Sequence, residues 1–199
     1  MTTFLWKDNS LKLLVLTNVI AIFLAIYQGW SLATVMWVYW FQSLTIGFFN
    51  FLRIASLKKF TTNRGPATLW AKWFTACFFV LHFGLFHVFY LVYLRAGAQA
   101  VFLGQDIGAI DTQAIFVPAV IFFANHWYSY RYHRPRDSEK QNIDSLALYP
   151  YARIVPMHLT IVFGAFFVSA LPPFLVLKTC ADVAMHVFEH RVIKKAEEV

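Results

Sequence analysis

Long apolar runs separated by short polar connections organise this chain from end to end. They predict helices at about 11–27, 32–55, 69–94, 112–130, 150–171 and 172–192. Each run is close to the ~20 residues that cross ~30 Å of hydrocarbon as a helix. Pro172-Pro173 opens the last run, where a first-turn N–H would be unpaired anyway. The expected fold is all-α: one domain over residues 1–199, a polytopic membrane protein of six transmembrane helices. Tyr27-Gln28-Gly29-Trp30 follows the first run in place of a small-residue cleavage site, so this run is expected to be a retained span.

Composition moves the picture the same way. Only 14% of the 199 residues are charged and 59% are hydrophobic, where a soluble domain carries about 25% charged residues. Charge then sets orientation. The connection after the second run holds Arg53, Lys58, Lys59, Arg64 and Lys72, and the one after the fourth holds Arg131, Arg134, Arg136, Lys140 and Arg153. Lys7 and Lys12 stand at the start, and Arg191, Lys194 and Lys195 at the end. An even number of spans puts all of these on one side and leaves Arg95 on the other. Short basic loops stay in the cytoplasm, so both termini are expected inside, in a prokaryotic plasma (inner) membrane. The net charge of +7 is explained by this bias and argues for no nucleic-acid partner. Membrane lipid is the expected partner, and a homo-oligomer is compatible with the pattern. The polar stretch RPRDSEKQNIDS (134–145) reads as a solvated cytoplasmic loop. Cys77 and Cys180 lie in apolar runs without CxxC spacing, and read as small buried hydrophobes.

Polar groups inside the runs carry the candidate chemistry. Lys178, Asp182, His186, Glu189 and His190 cross the last run. At ~1.5 Å per residue, Asp182 lies about 15 Å and His186 about 21 Å from its outer end. His82 in the third run lies about 20 Å from the inner side; His126 in the fourth and His158 in the fifth lie roughly 10 Å from it. Four different helices thus bring a histidine to the middle or the inner half. Asp182, His186 and His190 at i, i+4, i+8 share one face, whereas His82 and His87, five apart, point in different directions. An ionisable side chain at mid-bilayer costs at least ~2.5–3.5 kcal/mol, so such groups pair or line a functional cavity. Asn18, Gln42 and Asn50 read as interhelical hydrogen-bond partners.

His and carboxylate at i, i+4 chelate a metal, with further ligands from facing helices. The expected ligands are His82, His158, Asp182, His186 and His190, and the expected metal is zinc. His186-Val187-Phe188-Glu189-His190 also matches H-x-x-E-H, the inverted zinc-hydrolase pattern with a glutamate base. A hydrolase of a lipid or other membrane substrate would use a metal-activated water as nucleophile and Asp182 or Glu189 as general base. An Asp182–Lys178 or Asp182–His186 ion pair joining helices is the non-catalytic alternative. A proton-coupled or metal transporter would use the same groups as a relay, and a haem-binding electron carrier would use two histidines as axial ligands. Pro156 loosens the backbone beside His158, where a cavity can form.

The stretches VYWFQSLTIGFFNFLRI (38–54), FVLHFGLF (79–86), RIVPMHLTIVFG (153–164) and LKTCADVAMHVFEH (177–190) resemble an uncharacterised family of bacterial and archaeal integral membrane proteins. The resemblance implies the six-span fold and places His82, His158, Asp182 and His186 in a common family pattern. A more distant likeness is to the membrane hydrolases that include alkaline ceramidases and adiponectin receptors. It implies a zinc site in the cytoplasmic half, held by the H-x-x-x-H pair His186 and His190 with His82 as a third ligand. Six spans in place of seven depart from that pattern. So does Phe78, which stands where those proteins have a serine.

Overall fold

A computed structural model of the chain describes residues 9–63, 65–95, 109–137 and 141–151, together with 175–176, 179–180 and 183. The architecture is mostly helical. Helix α1 (Asn9–Tyr27) is followed by α2 (Leu32–Ser56), a two-residue strand β1 (Phe60–Thr61), α3 (Leu69–Arg95), α4 (Thr112–Asp137) and strand β2 (Gln141–Asn142). Residues 143–151 are helical again.

Local chemistry fixes most of these boundaries. Helix α1 stops at Gly29, whose φ of 62° is open to glycine at little cost. Trp30 N–H bonds the Ala25 carbonyl at 2.8 Å and Gly29 N–H the Ile26 carbonyl at 3.2 Å, which is the Schellman pattern. Ser31 caps α2 by accepting from Thr34 N–H. The Thr68 hydroxyl accepts from Ala71 N–H at the start of α3, and Asp111 Oδ1 accepts from Gln113 and Ala114 N–H at the start of α4.

Helix α2 is the centre of the described bundle. Helix α3 packs antiparallel to it: Val35 and Met36 cluster with Leu94 at one end, and Ile54 and Leu57 with Ala76 and Phe79 at the other. Close approach is set by Gly47, where a Cβ would overlap the Phe83 ring. Helix α4 runs parallel to α2. Asp111 N–H bonds Thr34 Oγ1 at 3.0 Å near their first turns, and Phe49 meets Phe123, Trp127 and Tyr130 further along. At the far end β1 and β2 pair in parallel, Phe60 with Gln141 and Thr61 with Asn142. The connections after α2 and α4 therefore share one end of the bundle, as their common basic charge predicts.

Several expectations change. Among the described residues two helices, Leu32–Ser56 and Leu69–Arg95, are long and apolar enough to cross a membrane. Helix α4 runs past residue 130 to Asp137, and the polar stretch from Asn125 to Tyr130 already lowers the hydropathy of its expected span. The fifth and sixth expected spans lie mostly outside the described residues. The stretch 134–145 is not one solvated loop. Its first residues continue α4, and Asn142 caps the next helix through Oδ1, which accepts from Asp144 and Ser145 N–H. Asp144 Oδ2 in turn accepts from Asn63 N–H at 2.7 Å, tying this turn to the segment after β1.

That helix begins before Pro150 and contains it. Proline has no N–H to offer the carbonyl of Leu146, one turn back. Asn50 of α2 fills the vacancy, its Nδ2 donating to Leu146 O at 3.0 Å in a buried position. The interhelical role expected of Asn50 thus has a stated partner. Lys72, counted as a loop charge, is buried within the first turn of α3; its Nζ donates to the carbonyls of Ala55 and Leu57 at the end of α2. A cation there satisfies orphan carbonyls and complements the negative end of the helix dipole. Cys77 and Cys180 are unpaired, but both are exposed rather than buried. Cys77 follows Ala76, which faces α2, so a 100° step turns it away from the core.

Candidate functional site

Seven positions on α3 point into the bundle: Lys72, Ala76, Phe79, Phe83, His87, Tyr90 and Leu94. Their spacing of three and four residues makes a single stripe. His87 falls on it and His82 does not, as their five-residue separation requires. The two imidazoles consequently have different surroundings.

His87 is 2% exposed. Its Nδ1 lies 2.9 Å from the Phe83 carbonyl and its Nε2 3.0 Å from Ser43 Oγ. A carbonyl can only accept, so Nδ1 carries a proton, and Nε2 pairs with the Ser43 hydroxyl. The ring is hydrogen-bonded on both sides. Its own carbonyl accepts from Trp40 Nε1 at 3.1 Å, a second tie between α2 and α3. His126, on α4, is half-buried, stacked on Phe122 at 4.2 Å, with Nδ1 3.1 Å from the Phe122 carbonyl.

His82 sits on the flank of α3 facing the helix that starts at Asn142. Its Nδ1 is 2.7 Å from the Tyr151 hydroxyl. The ring stacks on Phe78 (centroids 5.4 Å apart, planes 11° apart) and meets Phe86 edge-on at 5.1 Å. Tyr151 is held in its turn by edge contacts with Phe79 at 6.0 Å and Phe83 at 5.9 Å. No hydrogen-bond partner is found for His82 Nε2 among the described residues. The His82 side chain is exposed.

The other expected ligands and bases, His158, Asp182, His186, Glu189 and His190, lie outside the described residues. Among the described residues no group of three or more His, Cys, Asp or Glu side chains could hold a metal ion. Tyr151 escaped the sequence reading. Its only signal is adjacency to Pro150 at the mouth of an apolar run, which does not identify a partner 69 residues away.

No curated protein and no solved structure matches the chain. The likeness to ceramidase-type hydrolases therefore rests on the residues that suggested it and on nothing else. One family model does match: it describes a family of unknown function (DUF6498) and aligns with residues 6–199, so the chain belongs to that family.

Proposed function

We propose that this is an integral membrane protein of six spans with cytoplasmic termini, in which His186, His158 or His190, and His82 hold a metal in a buried site, with Asp182 as a further ligand or orienting the bound water. The membrane placement is supported by the apolar outer face of α3, where Trp70 (74% exposed), Leu81 (73%) and Phe89 (64%) face away from the described bundle. A soluble protein would turn such side chains inward. Lipid tails are the solvent that suits them.

The single observation that carries the metal reading is His82: a ring clamped by two phenylalanines and a tyrosine, with one nitrogen left unbonded among the described residues. Zinc fits a nitrogen and oxygen ligand set of this kind. Bound there, it would supply Lewis-acid activation of water, and Asp182 or Glu189 would take the proton. The reaction class that follows is hydrolysis of a lipid or other membrane substrate.

Elemental analysis of untagged protein, purified without a chelating column, tests this. One zinc per chain is expected, and His186→Ala should remove it. Full zinc occupancy in that variant rejects the ligand set. A Soret band in the wild type would assign haem instead. Absence of both leaves transport or a helix-joining ion pair.

A further inference from the structure

We propose that the turn between α2 and β1 binds the headgroup of an anionic phospholipid through Lys58 and Lys59. This rests on the membrane reading above, but not on the metal site. The basic side chains at this end of the bundle are not equivalent. Lys72 is buried, and its Nζ is engaged by the Ala55 and Leu57 carbonyls and stands 5.2 Å from the centre of the Trp73 ring. Arg131 lies 5.9 Å over the Trp127 ring. Lys58 and Lys59 are exposed, and neither has a hydrogen bond or ion pair among the described residues. Helix α2 makes no demand on them, because Lys72 already serves the carbonyls at its negative end.

The two lysines stand on a turn that is fixed at both ends. Buried Leu57 precedes it, its N–H on the Ile54 carbonyl and its own carbonyl on Lys72 Nζ. Phe60 follows it and pairs with Gln141 in the parallel strands. Neighbouring ammonium groups repel, and an anion set against both relieves that repulsion. Asp144, the carboxylate described near this turn, is directed instead to Asn63 N–H at 2.7 Å. A lipid phosphate suits the place because exposed aromatic surface adjoins it. Trp70, Trp73 and Phe74 open α3 on its outer side, with Trp70 stacked on Phe74 at 5.0 Å. The bond from Lys72 to the Leu57 carbonyl sets this aromatic strip beside the lysine turn. Tryptophan sits at headgroup level with acyl chains below it, and anionic lipids of the cytoplasmic leaflet attract lysines at that height.

The test uses the full chain in mild detergent, stripped of lipid and titrated with phosphatidylglycerol or phosphatidylcholine of the same acyl chains. Native mass spectrometry counts the bound lipid. Wild type should prefer phosphatidylglycerol about 25-fold, at about 5-fold per lysine. Lys58→Gln and Lys59→Gln should each lose their share, and the double variant should bind the two lipids alike. Lys72→Met removes a structural cation, so it should lower the unfolding temperature while its folded fraction keeps the preference. Equal binding of both lipids by wild type overturns the proposal, as does an undiminished preference in the double variant. Displacement of the lipid by glycerol phosphate would assign a soluble phosphate ligand and overturn it too. A chain that binds neither lipid overturns the membrane reading as well; one that binds both without preference leaves that reading standing.

Discussion

Two histidines on one helix, little more than a turn apart, show how differently the same side chain can be used. His87 lies on the buried stripe with a carbonyl on one nitrogen and a serine on the other. It is a completed hydrogen-bonding unit between α3 and α2. His82 lies off that stripe with one nitrogen bonded to a tyrosine. His87 is buried and His82 exposed, so the same side chain serves the packing of two helices at one position and stands at the edge of the described bundle at the other.

The sharpest way to break the comparison is to remove each ring. His87→Ala should cost about 3 kcal/mol, combining a cavity with a stranded Ser43 hydroxyl. In the zinc-free proteins His82→Ala, at an exposed position, should cost only about 0.5 kcal/mol. Thermal unfolding in a mild detergent reads both. Equal losses would show that the two sites are not distinct in kind.

Next in size is Gly47→Val, which forces a side chain into the Phe83 ring, itself stacked 4.4 Å from His87. Overpacking of this kind costs about 1–3 kcal/mol. Because Phe83 also touches Tyr151, the perturbation should reach both histidines. Histidine NMR signals that move at neither ring would contradict the packing described.

Smaller again is the effect at Asn50. Asn50→Ala strands the Leu146 carbonyl and should cost about 1 kcal/mol. Pro150→Ala restores an N–H at that position, so the double variant should recover most of the loss. Additive losses in the unfolding midpoints would refute the proposal that Asn50 completes the bond Pro150 cannot make.

The Pro150 case also explains what the sequence could and could not disclose. Helices α2 and α3 are legible because each is a continuous apolar run of spanning length between polar connections. Expected limits of 32–55 and 69–94 compare with Leu32–Ser56 and Leu69–Arg95. Placing Pro150 at a helix start was sound local reasoning, but a side chain 96 residues earlier in the sequence satisfies the carbonyl it frees. Lys72 misled for the same reason: a charge beside an apolar run reads as a loop residue unless the carbonyls it caps are known. Arg131, at the continuation of α4, lies 5.9 Å over the Trp127 ring, so a helix there keeps its cation in favourable company. At Pro150 and at Lys72 the partner is supplied by another helix, which no local pattern discloses. Of the candidate site, the sequence singled out His82 and separated it correctly from His87 by angle, since five residues on a helix cannot share a face. Tyr151 stayed hidden because a tyrosine near a helix start has many ordinary uses.

Zinc content per chain, measured side by side in His82→Ala and in the folded fraction of His87→Ala, tests the account most directly. Loss of zinc from the first and full retention in the second is the predicted result. Equal zinc in the two proteins would contradict it.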